Sequence, residues 1–163
     1  MAPAVPLRAQ APTEYQVKAA FLYNFAKFVE WPENTPGMPF CIGILGPDPF
    51  GSVIDQTLAG KTLDGRRVVI RRFERPEEAF GCEIVFVASA SRSPAPLLER
   101  FQNKAVLTVG DEPAFCQSGG IIGFQLAGQR VRFAVNLEAA QRAQLKVSSK
   151  LLSLATKIWG SRR

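Results

Sequence analysis

The sequence contains no histidine. It therefore lacks the usual general base near neutral pH and the commonest metal ligand, and it excludes any catalytic triad that needs a histidine. No apolar run reaches the roughly 18 to 20 residues that span a bilayer. The three cysteines, Cys41, Cys82 and Cys116, form no Cys-x-x-Cys motif, so we expect no zinc site. These absences argue against an enzyme, a metal cofactor and a transmembrane protein.

The composition is that of an ordinary globular chain, with 163 residues, 47% hydrophobic and 21% charged. A chain of this length buries about two-thirds of its unfolded surface, which predicts a single domain. The net charge of +6 favours anionic partners, or it only aids solubility.

Residues 1–12 are rich in proline and alanine, so we predict a disordered lead before a single folded domain over residues 13–163. Within this lead, Ala9–Ala11 reads Ala-Gln-Ala, like the tail of a signal-peptide cleavage site, but no apolar segment precedes it. Two interpretations stay open: a signal peptide was removed and Met1 is an added start, or the N-terminus is simply flexible.

The stretch EYQVKAAFLYNFAKFVEWPEN predicts an amphipathic helix that begins at Thr13 or Glu14 and ends at the pair Trp31-Pro32. Its apolar arc is the predicted core face, formed by Val17, Phe21, Leu22, Phe25, Ala26, Phe28 and Val29. Its polar side is a candidate partner-binding surface, formed by Tyr23, Lys27, Glu30 and Trp31.

Apolar strand patterns alternate with helix patterns through the middle of the chain. The strands are PFCIGILG, RRVVIRRF, CEIVFVAS and KAVLTVG, and a hairpin turning at Ala127-Gly128 follows them. Short helices are predicted in DEPAFCQSGG and LEAAQRAQL, and a last helix in KLLSLATKIW. This order predicts a single three-layer α/β domain. Its mixed, mostly parallel sheet would have about six strands, helices on both faces and an antiparallel hairpin at one edge.

Cys41 and Cys82 each stand at the start of a predicted buried strand. The first and third strands of a doubly wound sheet are commonly neighbours, and parallel strands that start at one level would bring the two cysteines within disulfide reach. The alternative is two buried thiols, because free cysteine is often buried.

Two arginine-rich strands are interpreted differently. The segment RRVVIRRF alternates its charges between faces and predicts an edge strand whose arginines discourage aggregation, with nucleic-acid binding not expected. In QRVRFAVN, Arg130 and Arg132 share one face, and we expect the following helix to bring Arg142 back to the same end of the sheet. Three converging guanidinium groups would bind a phosphate or carboxylate; the alternative is a salt-bridged surface strand.

Taken together, YQVKAAFLYNFAKFVEWP, FCIGILGPDPFG, GGIIGF and RVRFAVNLEAAQRAQLKVSSKLLSLA resemble the YfiR-like family of bacterial periplasmic proteins, across about residues 14–158. The resemblance implies a non-enzymatic, periplasmic and often dimeric regulator with a mixed α/β fold. It implies repression of an inner-membrane diguanylate cyclase through that enzyme's periplasmic sensor domain, and relief by an outer-membrane lipoprotein. Cyclic-di-GMP synthesis and biofilm formation would fall.

The resemblance also bears on single residues. Cys41 and Cys82 match positions where family members carry a disulfide, and Cys116 matches one half of a second bridge whose other position holds Gly123 here. Arg130, Arg132 and Arg142 fall in a segment that the family associates with small-ligand binding. A periplasmic protein that senses an anionic ligand or nucleotide and acts on another membrane partner is therefore the alternative function.

Overall fold

The computed structural model describes residues 13–33, 35–88 and 93–160; the predictions for residues 1–12 lie outside them. The α-helices are α1 (Glu14–Phe28), α2 (Ser52–Leu58), α3 (Ala95–Glu99), α4 (Leu137–Arg142) and α5 (Ser149–Leu154), with a 3₁₀ helix at Pro76–Ala79. The strands are β1 (Val29–Glu30), β2 (Phe40–Leu45), β3 (Thr62–Leu63), β4 (Arg66–Phe73), β5 (Ile84–Val87), β6 (Leu107–Gly110), β7 (Ile122–Ala127), β8 (Arg130–Asn136), β9 (Lys146–Val147) and β10 (Lys157–Trp159).

Helix α1 begins at a reciprocal N-cap. The Thr13 side chain accepts a hydrogen bond from the Gln16 amide, and the Gln16 side chain accepts one from the Thr13 amide. The helix ends at Phe28 because the backbone becomes extended at Val29 and pairs, as β1, with β9. Of the predicted core face, Leu22, Phe25, Ala26 and Val29 are buried, whereas Val17, Phe21 and Phe28 are half-buried.

The main sheet has eight strands in the order β10-β8-β7-β6-β5-β2-β4-β3. The neighbouring pairs from β4 to β7 are parallel, and β8 runs antiparallel to β7. The predicted mixed, mainly parallel α/β sheet is therefore confirmed. The hairpin of β7 and β8 is not at the edge, however, because β10 pairs in parallel outside β8.

The last predicted helix is present but shorter than expected, and the helix predicted in DEPAFCQSGG is wrong. The last helix ends at Leu154, since Ala155 adopts an extended conformation and the Thr156 amide donates to the carbonyl of Phe133. The residues after it, Lys157–Trp159, then pair with β8 instead of continuing the helix. The segment 111–120 contains turns and no helix. Tertiary pairing has overridden local helical periodicity at the C-terminal end.

The alternation of side chains along each strand produces two cores, one on either face of the sheet. In β2, Phe40, Ile42 and Ile44 enter the larger core, which α1, α2, α4 and α5 cover. Cys41 and Leu45 enter the smaller core, which α3 and the 3₁₀ helix cover. The three-layer arrangement follows directly from this alternation.

A disulfide joins Cys41, in β2, to Cys82, just before β5, with the Cα atoms 4.7 Å apart. The prediction of this bridge is confirmed. Next to it, the Glu83 carboxylate accepts hydrogen bonds from the Cys41 amide (2.9 Å) and from the Arg66 guanidinium (2.5 Å). The Glu83 carbonyl accepts a further bond from the Trp31 indole (3.0 Å). The bridge and this carboxylate together hold the starts of β2, β4 and β5 next to one another.

We expect the unreduced, unfolded protein to show one reactive thiol, that of Cys116, and the reduced protein to show three. Replacing both bridged cysteines (Cys41→Ser with Cys82→Ser) should lower the free energy of unfolding by about 3–4 kcal/mol, because the bridge closes a loop with a sequence separation of 41 residues. Alkylation with intact-mass measurement and urea titration check the two expectations. The control is Cys116→Ala, which keeps the bridge. Three reactive thiols in unreduced protein isolated from the periplasm would contradict the bridge.

Candidate functional site

The candidate partner-binding residues lie at the C-terminal end of α1 and beside β3. The Tyr23 hydroxyl donates to the Thr62 carbonyl (2.6 Å), and the amino groups of Lys27 and Lys61 lie 4.6 and 5.7 Å from the centre of the Tyr23 ring. Lys27 is exposed. The three side chains form a basic surface around one aromatic ring, next to the edge of the sheet.

Trp31 and Glu30 are placed differently. Trp31 is half-buried, and its ring meets that of Phe40 edge-on at 5.3 Å, in addition to the indole bond to Glu83. Glu30 is exposed and pairs with Lys146 across β1 and β9. Trp31 therefore mainly anchors the end of α1, and Glu30 lies on a short ladder; partner binding by either residue stays a prediction.

The three arginines do not converge. Arg130 and Arg132 lie at the start of β8, beside the end of β7. Helix α4 begins at the other end of β8, so Arg142 lines a separate cavity beside Ile121, and its guanidinium pairs with Glu138. The expectation that Arg142 returns to the side of Arg132 is therefore wrong. Ligand binding by Arg130 and Arg132 stays a prediction.

A buried lysine lies close to Arg132. Lys18 is only 2% exposed, and its amino group forms ion pairs with Glu14 and with Asp111, the latter at 2.9 Å. The Tyr15 hydroxyl also donates to Asp111 (2.9 Å), and the Lys18 amino group lies 4.4 Å from the centre of the Tyr15 ring. A buried cation persists only when opposite charges and hydrogen bonds compensate for lost hydration, and both are present here.

This cluster of Glu14, Tyr15, Lys18 and Asp111 raises the pKa of the Tyr15 phenol. Burial of the hydroxyl is the largest cause, followed by its hydrogen bond to the Asp111 carboxylate and the nearby negative charges. Tyr15 therefore stays protonated throughout the physiological range and remains a hydrogen-bond donor to Asp111.

Glu14, Lys18 and Asp111 of this cluster form one wall of a cavity of about 520 Å³ at the carboxyl end of β6. Arg132 and Thr156 contribute polar groups, and Phe124 and Leu126 contribute apolar surface. Within the described ranges, Arg132 has no ion-pair partner. Its guanidinium is thus available to a carboxylate or phosphate while the apolar wall accepts a hydrophobic group.

Sequence reasoning missed Lys18 because the helical pattern shows only a polar residue near the edge of an apolar arc. The spacing of Glu14 and Lys18, four residues apart, was the local signal for an ion pair. The second partner, Asp111, is 93 residues away in sequence, so only the fold reveals that the pair is buried.

Cys116 is buried and carries a free thiol close to the carbonyls of Ile121 and Ala134. Burial raises the pKa of this thiol to about 11. The adjacent Gly123 has no side chain, and a Cβ built on it would lie 3.3 Å from the Cys116 sulfur. The position expected for a second bridge partner is therefore next to the thiol and holds glycine.

Within residues 13–33, 35–88 and 93–160, no group of three or more Asp, Glu or Cys side chains is arranged to hold a metal ion. No helix in the same ranges is long and apolar enough to cross a bilayer.

Replacing the buried lysine tests the cluster. Lys18→Met keeps most of the side-chain volume but leaves Asp111 and Glu14 without their cation. We expect the free energy of unfolding to fall by about 1–3 kcal/mol, less than for a fully buried pair because both carboxylates reach solvent. The control is Lys27→Met, an exposed lysine on the same helix, which should change stability by less than about 0.5 kcal/mol. Equal stability of the two variants in urea titrations would show that the ion pairs contribute nothing.

Two solved structures share the fold at low sequence identity. A conserved domain protein from Vibrio cholerae O1 biovar El Tor matches with a TM-score of 0.59 and 10% identity, over 90% of this chain and 60% of that one. A structure described as the ABC domain in complex with L-Trp from Streptococcus pneumonia matches with a TM-score of 0.56 and 12% identity, with the same two coverages. This chain therefore spans about 60% of the length of either protein, and the similarity shows the fold alone.

A family model described as YfiR/HmsC-like matches residues 15–156. The match runs from the first turn of α1, through the disulfide-linked strands, to the residue that precedes β10. The chain belongs to the YfiR/HmsC-like family.

Proposed function

We propose that this is a non-enzymatic periplasmic regulatory protein that binds the periplasmic sensor domain of an inner-membrane diguanylate cyclase and represses cyclic-di-GMP synthesis. Family membership across residues 15–156 is the observation that carries the proposal. The Cys41–Cys82 bridge supports the compartment, because disulfides persist in the oxidising periplasm and are rare in the cytosol.

The basic surface of Tyr23, Lys27 and Lys61 is the proposed contact with the cyclase. A half-buried aromatic ring flanked by lysines combines apolar area with positive charge, a combination that suits an acidic protein surface. The Tyr23 ring is held by its hydrogen bond to Thr62, so little conformational freedom is lost when a partner covers it.

Deleting the gene should raise cyclic-di-GMP, and the purified protein should bind the cyclase's periplasmic domain in calorimetry. Lys27→Glu should weaken this binding at least tenfold, because it places a carboxylate against the proposed acidic partner. The matched control is Lys104→Glu, which reverses an exposed lysine elsewhere. Circular dichroism checks that both variants fold. Unchanged cyclic-di-GMP in the deletion strain would contradict the proposal.

A second candidate function is the sensing of a small molecule in the cavity beside Arg132. The cavity combines the Arg132 guanidinium, which has no ion-pair partner among the described residues, with the acids Glu14 and Asp111 and an apolar wall. It therefore suits a small carboxylate or phosphate that also carries a donor group and a ring. The Streptococcus structure of the same fold is described as a complex with L-Trp, a molecule with these features. Such a ligand could act together with repression by changing the protein's affinity for the cyclase.

Calorimetry with nucleoside monophosphates and L-Trp tests this second function. Arg132→Glu should lower the affinity for a bound ligand at least tenfold, because the carboxylate or phosphate loses its cation. Arg142→Glu is the matched control and should leave the affinity unchanged, since Arg142 lines another cavity. Equal affinities for the native protein and Arg132→Glu would show that the site is wrong.

A further inference from the structure

Strand β4 has an open edge. Its partner on the outer side, β3, pairs only with Arg66 and Arg67, and the Lys61 carbonyl then accepts the Val68 amide. Beyond this point, no strand in the described parts of the chain lies on the outer side of Val69–Phe73, whose inner side pairs with β2. Five residues of an eight-residue strand thus have no neighbouring strand on that side.

The direction of the backbone groups along this edge follows from two hydrogen bonds. The Val68 amide points outward to Lys61, and the Phe73 carbonyl points inward to the Gly46 amide. Because peptide groups alternate along a strand, Ile70 and Arg72 direct their N–H and C=O groups outward, whereas Val69 and Arg71 direct theirs to β2. The free edge therefore offers two donors and two acceptors at strand spacing.

The side chains beside this edge are apolar or positively charged. Val69 and Phe73 pack against the smaller core, and Ile70 packs against the larger one. Arg72 is already neutralised: its hydrogen bonds to Asp55 and Asp48 raise the pKa of its guanidinium further above the usual value. Arg71 is exposed and, in the described ranges, has no ion-pair partner.

More positive charge surrounds the edge. Arg67 is exposed on the same face as Arg71, and Lys61 and Lys27 lie around Tyr23 on the neighbouring surface. No carboxylate of the described residues pairs with Arg67. The basic surface around Tyr23 lies on the larger-core face and reaches the same edge of the sheet, since Tyr23 is bonded to Thr62 of β3, which lies opposite Arg67.

A second copy of this chain does not suit the edge. Lys61 already occupies the position beside Val68, which leaves only Val69–Phe73 for pairing. Antiparallel pairing of these five residues with themselves would place Arg71 directly opposite its own counterpart, and like charges in that position are destabilising. A homodimer, which family resemblance leads us to expect, would use another surface.

We propose that an extended acidic segment of a partner protein adds to the sheet as a strand along Val69–Phe73. The outward groups of Ile70 and Arg72 supply the main-chain hydrogen bonds of β-strand addition. The side chains of β4 specify a five-residue pattern in the added strand. An acidic residue lies opposite Arg71, and the apolar residues two positions before and two positions after it lie opposite Val69 and Phe73. This inference goes beyond the proposed function and does not depend on the partner being a cyclase.

The experiment uses the whole chain and two acetylated seven-residue peptides, Thr-Val-Thr-Glu-Thr-Val-Thr and the same peptide with Lys in place of Glu. In fluorescence anisotropy titrations, the Glu peptide should bind at least tenfold more tightly than the Lys peptide. Arg71→Glu should reverse this preference, and Lys104→Glu should leave it unchanged. Equal affinity for both peptides, or no binding of either at about millimolar concentration, would overturn the proposal.

Amide hydrogen exchange locates the bound peptide. The amides of Ile70 and Arg72 should exchange rapidly in the free protein and become protected when the Glu peptide is present. The amides of Val69 and Arg71, which face β2, should be protected in both states and serve as internal controls. Binding without protection of Ile70 and Arg72 would overturn strand addition. Protection of these amides by self-association alone, seen at increasing protein concentration, would show that a second copy occupies the edge.

Discussion

The structure depends on one half-buried carboxylate, that of Glu83, which binds groups at the amino ends of the central strands. It pairs with Arg66, which also donates to the carbonyls of Met38 and Pro39, and it accepts the Cys41 amide beside the disulfide. The two bonds to Glu83 join β2 and β4 to the start of β5, and the other two Arg66 bonds join β4 to the segment before β2. Because this one carboxylate accepts from both Arg66 and the Cys41 amide, the starts of β2 and β4 and the approach to them are fixed together.

At the carboxyl ends of the same strands, Arg72 of β4 binds Asp48 and Asp55. Two of the candidate binding features lie toward that side: the Lys18 cluster forms one wall of the cavity beside Arg132, and the open part of β4 runs toward the same end of the sheet. This position agrees with a general property of α/β domains, in which ligands bind beyond the carboxyl ends of parallel strands. The basic surface around Tyr23 lies instead beside β3, which pairs with the start of β4.

Much of the fold was predictable from local pattern. The buried strands are short apolar runs, and the alternation within β2 divides its side chains between the two cores. The C-terminal end was not predictable in this way: Leu151, Leu154, Ala155 and Ile158 have helical spacing, yet pairing with β8 converts the last residues into a strand. The placement of Arg130 and Arg132 on one face of β8 followed from alternation along the strand. The burial of Lys18 and the position of Arg142 did not follow from the sequence pattern. The burial of Lys18 depends on Asp111, and the position of Arg142 depends on where α4 begins.

Helix α1 has partners along the whole chain. It packs against α2, its start is bonded to Asp111, its aromatic face meets Phe124 and Phe133, and its end is bonded to Ser148. Docking of the first helix therefore needs contacts that span long stretches of sequence, such as the bond between Lys18 and Asp111, 93 residues apart. Because the entropy of closing such loops must be overcome before these contacts form, we expect the docking of α1 to be a late and slow step in folding.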